Sequence, residues 1–369
     1  MASTPLWPAL AAVVLLLFSV ASAQVCELDP YYYNIYRAEQ VEELSRNCTT
    51  LDGSLIVRDN FTGSFHLPGV TNITGGLDVG NNIPNDITDV QLPDLEYVPE
   101  FRLFGVKNAS MPRLSVVEGE VEIRSPSDGR YHFPSLLTVG EISMSGNLSS
   151  VTFESLRNAS SISIDSRGSH LYSLQNLTTT VVDISFPVLE RVGSTHLRGN
   201  ISSFSAPELT TISPITDYIS GMIWFKPYEP GFTIDLPKLA YVNGTVVFNG
   251  VVNNVSLPML RNVTGNFQLD TSSTEPIAID LPIEYADEVE LRGNIDSISL
   301  PNLRNYSQIR VNLDDAFDCD GFAEQLNETV TTPINRHRNF RCSRAEILTS
   351  KSGIMLIAVV VASLWNIVV

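Results

Sequence analysis

One short phrase returns along this chain and limits its fold more than any other feature. Its form is apolar-x-apolar-Pro-x-Leu-x-x-Val-x-Gly-x-apolar-x-apolar. Copies include "VQLPDLEYV" from Val90, "FPSLLTVGEISMSG" from Phe133, "ISFPVLERVG" from Ile184 and "VSLPMLRNVTGNFQLD" from Val255. The prolines fall at 68, 93, 112, 134, 187, 207, 237, 258 and 301. A less regular copy supplies Pro282, and "VTFESLRNASSISI" around Glu154 has the phrase without its proline. With that copy counted, most spacings lie between 19 and 25 residues. A steady period of this size marks a solenoid, because one such unit cannot bury its own apolar face and must stack on its neighbours.

Alternation identifies the solenoid. Leu77/Val79, Val121/Ile123, Ile142/Met144, Phe267/Leu269 and Ile309/Val311 sit two apart after the phrase's turn. Ile184/Phe186, Ile234/Leu236, Val255/Leu257 and Ile298/Leu300 sit two apart before the proline. A period of two is a strand with one face inward. The chain is therefore predicted to be all-β, a parallel β-helix of short strands and sharp corners. Proline, which cannot donate to a ladder, belongs at the strand end, where its fixed φ stiffens a corner. The Leu two places later points inward, and the Gly before the next strand permits a tight backbone. About eleven coils at ~4.8 Å each make a rod of ~50 Å. An antiparallel sandwich with proline-rich turns would explain strands but not the returning phrase.

A solenoid needs its ends covered. "AEQVEELSRNC" (38–48) has helix formers with Val41 and Leu44 on one side, and "DCDGFAEQLNE" (318–328) has acidic N-cap residues before Phe322 and Leu326. Each segment lies between cysteines. Of the three pairings open to Cys26, Cys48, Cys319 and Cys342, Cys26–Cys48 with Cys319–Cys342 is the economical one. Both segments are expected to be disulfide-pinned helical caps. No CxxC spacing suggests a metal site, and no cofactor motif occurs.

Both termini read as processing signals. An apolar stretch from Ala9 to Val20, followed by Ala21-Ser22-Ala23, predicts a signal peptide over 1–23. Ile354 to Val369 is almost wholly apolar. Sixteen helical residues span roughly 24 Å, short of the roughly 30 Å hydrocarbon core. With small residues and a polar spacer upstream, 343–369 reads as a GPI-attachment signal with Ser343 as the attachment residue. A retained, slightly short transmembrane helix is the alternative. Between the signals the chain divides into 24–185 and 186–342, the first lobe with its N-terminal cap and the second with its C-terminal cap. The division follows a long gap in the repeat from Arg157 to Phe186, for which a coil with a loop is the alternative.

The chain carries thirteen N-x-S/T acceptors: Asn47, Asn60, Asn72, Asn108, Asn147, Asn158, Asn176, Asn200, Asn243, Asn254, Asn262, Asn305 and Asn327. Asn72, Asn262 and Asn305 each lie four residues after a repeat proline, and Asn108 and Asn254 four before one. Equivalent positions stack, so these acceptors are expected to form columns along fixed edges. "GMIWFKPYEPGF" (221–232) reads as an insertion whose Trp224, Phe225 and Tyr228 form a candidate surface for sugar rings or a protein. Packing over a coil is the alternative for them, as it is for "YYYNIY" (31–36).

Taken in order, the "C…NCTTLDGSLIV" opening, the LPxLxxVxG repeats, the "HLYSLQNL" centre and the "FDCDGF…RNFRC" ending resemble the fungal GPI-anchored cell-wall-organisation proteins and their sporulation-specific relatives. The resemblance covers about Cys26 to Cys342. It implies a right-handed receptor L-domain β-helix, one lobe or two, and a glycoprotein of the outer plasma-membrane face or the cell wall. It implies a non-enzymatic role in wall organisation and integrity, with wall polysaccharide or wall mannoproteins as partners. Family members usually carry a Ser/Thr-rich stalk, and here Cys342 almost touches the spacer, so the anchor would hold the protein close to the bilayer.

Other functions leave weaker marks. A net charge of −18 disfavours a nucleic-acid partner, whose affinity depends on Lys and Arg. Polysaccharide-degrading enzymes also use parallel β-helices, and the glycosidases among them need a carboxylate pair. The one Asp-Asp pair, Asp314-Asp315, lies beside the C-terminal cap and reads as a solvated turn. A receptor or adhesin ectodomain that binds glycan or protein is the other alternative.

Overall fold

The computed structural model describes residues 24–28, 32–80, 86–166, 181–214, 221–228, 232–313, 317–331 and 339–344. Residues 1–23, the C-terminal signal beyond its first two residues, Asp314-Asp315, Asn176 and the "HLYSLQNL" centre lie outside them. The described chain is a parallel β-solenoid of about 12 turns.

Each turn contributes to three ladders. The pre-proline ladder runs from Gly63–His66 through Ile87–Gln91, Asn108–Ser110, Val182–Ser185, Ile201–Ser205 and Phe232–Asp235 to Val252–Ser256. A short ladder holds the Val of the phrase, as in Thr211–Ile212 and Tyr241–Val242. A broad ladder extends from Tyr33–Ile35 to Phe340–Arg344. Between Arg157 and Phe186 the register continues: Val182–Ser185 pairs with residues 150–152 on one side and with Ile201–Ser205 on the other.

The proline corner is a β-turn. In eight of the proline copies the Leu N–H donates to the carbonyl of the apolar residue before the proline, as from Leu95 to Leu92 (3.4 Å), Leu136 to Phe133 (3.3 Å), Leu209 to Ala206 (3.1 Å) and Leu260 to Leu257 (3.1 Å). Proline thus takes the second turn position, which its fixed φ favours and where its missing N–H costs no ladder bond. The Leu that closes each turn is buried, as are the two-apart apolar pairs.

Stacking brings the rungs' inward residues together. Phe101, Phe133, Phe153, Phe186, Phe204, Phe225, Phe248 and Phe267 form a continuous run with ring centroids 5.1–6.1 Å apart. Burying each such ring stabilises the fold by roughly 1.5–3 kcal/mol. Where the phrase has Ala206 in place of a large residue, Phe204, two positions earlier, carries the aromatic run across the gap.

The caps form as the sequence predicts. Helix α1 (Ala38–Asn47) buries Val41 and Leu44, and Gln40 Oε1 accepts from the Tyr36 and Arg37 N–H groups at its start. Helix α2 (Cys319–Thr329) buries Phe322, Ala323 and Leu326, and Asp318 accepts from the Asp320 and Gly321 N–H groups. Cys26 is bonded to Cys48 and Cys319 to Cys342.

Candidate functional site

Outward residues of the broad ladder form a row that changes character along the rod. In register it reads Asn34, Ile56, Asp78, Arg102, Glu122, Ser143, Ser163, His196, Trp224, Val247, Gln268, Glu290, Arg310, Arg341. Beside it runs a second row, Glu120, Glu141, Ser161, Ser194, Met222, Thr245. Towards each end the rows carry paired charges. Arg102 lies 3.6 Å from Asp78, 3.6 Å from Glu100, 3.5 Å from Glu122 and 4.0 Å from Glu120. Arg124 binds Glu122 and stands over the Phe104 ring at 4.5 Å. Further along, Arg292 pairs with Glu290 and Arg310 with Glu288.

Between these charged stretches the side chains are small. Ser143, Ser161, Ser163 and Ser194 occupy the two rows, and Ser194 donates to Ser161 at 3.2 Å. Gly119, Gly140 and Gly193 line the adjoining corner. A Cβ at Gly140 would lie 2.3 Å from the Glu118 carbonyl oxygen, and one at Gly193 2.3 Å from that of Ser160. At Gly140 and Gly193 the corner backbone lies too close to the neighbouring rung for a Cβ to fit without a shift. The result is a groove of about 660 Å³ lined also by Glu100, Glu120, Glu141, His196 and Pro214. Burial raises the Glu120 carboxyl above its usual pKa, and the charges of Glu122 and Glu141 add to this. Burial lowers the His196 pKa, against an opposing pull from Glu141. His196 Nε2 is 3.3 Å from Met222 Sδ, and its ring meets that of Trp224 edge-on at 6.3 Å. The groove offers carboxylates, hydroxyls and the His196 imidazole, with Trp224 next to His196 along the row, and among the described residues no Lys or Arg lines it.

The aromatic surface expected around 221–232 needs correction. Gly221–Pro227 is a regular rung of the broad ladder, paired on both sides. Strand alternation therefore turns Phe225 inward, where it is fully buried in the aromatic run. Trp224 faces outward and is partly exposed, and Tyr228 is exposed with its hydroxyl accepting from Arg198 Nε at 2.8 Å. In "YYYNIY", Tyr32 and Tyr36 are exposed while Tyr33 packs against the core.

The acceptor asparagines fall in columns. Asn72, Asn158, Asn262 and Asn305 occupy one register position of the short ladder. Asn158 belongs to the copy without a proline, so spacing from the proline could not find it. Asn108 and Asn254 share a position on the pre-proline ladder. Asn47 and Asn327 are exposed on the cap helices, and Asn60, Asn200 and Asn243 lie at corners. The expectation of an open acceptor fails at Asn147, which is only 8% exposed and has Nδ2 3.4 Å from Asp128 Oδ1. Ser343 is exposed within the last strand, with Asn312 as its ladder partner.

Among the described residues no group of His, Cys, Asp and Glu could hold a metal ion, and no helix is long and apolar enough to cross a membrane. The chain is similar to Protein ecm33 of Aspergillus fumigatus, 24% identical over 330 residues that cover 81% of this chain and 77% of the relative. No protein-family profile matches it, and no solved structure does. The likeness agrees with the fungal resemblance read from the repeats.

Proposed function

We propose that this protein is a secreted, N-glycosylated, GPI-anchored scaffold that organises the fungal cell wall and supports its integrity without catalysing a reaction. The similarity to the Aspergillus protein over four-fifths of the chain carries this reading. Three features support it. The core is one continuous stack with rigid ends, suited to presenting a long surface. Acceptor asparagines line its edges in register. The apolar C-terminal stretch follows shortly after the last strand. An anchor at Ser343, next to the disulfide-bonded Cys342, would hold the final rung against the bilayer. Wall polysaccharide or wall mannoproteins are the partners this reading implies.

Deletion of the gene tests the role. The strain should become sensitive to dyes and enzymes that stress the wall, and the full chain should restore resistance. Unchanged resistance in the deletion strain would remove the proposal. Phosphatidylinositol-specific phospholipase should release the protein from intact cells, whereas a retained helix would keep it in the membrane fraction.

A further inference from the structure

We infer that the groove on the broad ladder binds a neutral, hydroxyl-rich polysaccharide chain of the wall, laid along the rod axis. This deepens the proposed scaffold role by placing its wall contact, and it rests on that reading.

The first observation is where sugar acceptors are missing. None of the twelve acceptor asparagines among the described residues occupies an outward position in a broad-ladder strand. Asparagines do occur there: Asn34, Asn249, Asn266 and Asn312. None is followed by the required Ser or Thr. The other two ladders carry acceptors in columns. The hollow on the pre-proline ladder even includes Asn108 in its lining. The broad ladder is thus the face left open for contact with something large. Asn158 stands at the groove's rim, two positions before Ser160, and its glycan would leave from the adjoining ladder.

Shape gives the second argument. Glu100, Glu120, Glu141, Ser161 and Ser194 come from five successive rungs. At ~4.8 Å per rung the groove runs for roughly 19 Å. That length suits several units of a polymer rather than a single small molecule.

Chemistry gives the third. Carboxylate and serine oxygens accept hydrogen bonds from hydroxyl groups, and bonds to ionised acceptors are the stronger kind. The carboxylates repel polyanions. Arg102 already stands beside Glu100 and Glu120, so local charge is offset while oxygen lone pairs remain available. Next to the lining residue His196, Trp224 presents a partly exposed ring, an apolar plate for the C–H face of a sugar. A cationic polymer is the competing occupant, and salt separates the two because screening weakens only charge attraction.

Two single substitutions turn the groove into its own test. Ser161→Asn creates an Asn-Ile-Ser acceptor, and Ser143→Asn an Asn-Met-Ser acceptor. The first would place a glycan in the hollow and the second one beside it, on the adjacent row, and both should lower retention. The full chain, made in a fungal host, is incubated with protein-free, alkali-insoluble wall glucan. The wild type should be retained, equally at low and high salt. Ser161→Asn should abolish retention. Ser161→Asn with Ser163→Ala, which cannot be glycosylated there, should recover most of it. Trp224→Ala should weaken retention about tenfold, equivalent to ~1.4 kcal/mol. Asn158→Gln should leave it within about twofold, equivalent to ~0.4 kcal/mol. Retention of the glycosylated Ser161→Asn protein would overturn the inference. So would a wild type that binds no neutral glucan, or one that binds only an amine-bearing polysaccharide and lets go in salt. Release of sugar from the glucan would replace binding by catalysis and overturn it equally. The scaffold role is judged separately by the deletion strain, whose wall sensitivity would stand even if this groove bound nothing.

Discussion

Trp224 and Phe225 are neighbours on one strand, yet they belong to different regions of the molecule. Phe225 continues an interior that is nearly the same on every rung: an aliphatic or aromatic side chain in a fixed register position. Trp224 belongs to an outward row that runs from paired charges through serines to a ring and back to paired charges. Stacking constrains the first row because each side chain must fill the space its neighbour leaves. It constrains the second hardly at all. Half-exposed ion pairs such as those of Arg102 contribute at most about 1 kcal/mol. The change of character along the outer row is therefore where function can be written without cost to the fold.

Truncating both rings tests that contrast most sharply. Phe225→Ala should cost about 3–5 kcal/mol of stability, since it opens a cavity in the middle of the aromatic run. Trp224→Ala should cost about 1 kcal/mol or less, as for most substitutions on an outer face. Chemical denaturation of the two variants reads the difference. Equal losses would mean that the outer row also holds the rod together.

The ends come next. The two disulfides close loops of similar length, with separations of 22 and 23 residues, so each is expected to contribute roughly 3 kcal/mol. In a stack where each rung contacts only its neighbours, the loss stays local. Replacing Cys319 and Cys342 by serine should speed hydrogen exchange in α2 and the last strands and leave the aromatic centre protected. Uniform acceleration would show that the rod melts as one unit.

Gly193 sharpens the comparison within the groove itself. Gly193→Ala should cost about 1–3 kcal/mol, because the new methyl meets the Ser160 carbonyl oxygen at 2.3 Å. Ser160 holds the equivalent corner position one rung away, with a side chain already present. Ser160→Ala should be nearly neutral in a thermal melt. A neutral Gly193→Ala would mean that the corner has room and that its glycines do not set the groove's depth.

The interior was legible in the sequence because its rules are local. Proline with Leu two places on defines a turn, and alternation tells which side chains face in. The same alternation, applied to "GMIWFKP", would have turned Phe225 inward with Ile223. The segment lacks the Pro-x-Leu phrase and so reads as an insertion, although Pro227 takes a rung position opposite Gly199. The groove was not legible. Ser161 and Ser163 opposite Ile162 and Ile164 look like any solvated strand face. Only the stack brings Glu120, Glu141, Ser161 and the pair Ser194 and His196 from four separate repeats onto one surface. The burial of Asn147 is hidden for a similar reason, since it depends on the neighbouring rung and not on its own sequon.

The smallest expected effect is a pH response confined to the outer row. Burial holds the His196 pKa below its ordinary 6.5, so between that lowered value and 6.5 the unfolded chain binds more protons than the folded one. Stability contributed by neutral His196 is thus present above pH 6.5 and is lost as pH falls through the folded pKa. Glu120 acts in the opposite sense. Its raised pKa means that the folded chain holds the proton longer, so stability falls as pH rises from 4.5 through the folded value. Melting curves of His196→Gln should flatten the slope just below pH 6.5, and those of Glu120→Gln the slope above 4.5. Phe225→Ala should lower the whole curve without changing its shape, because the interior row holds no proton to exchange. If the Phe225 variant altered the pH profile as the His196 variant does, the inner and outer rows would be coupled, and their separation would fail.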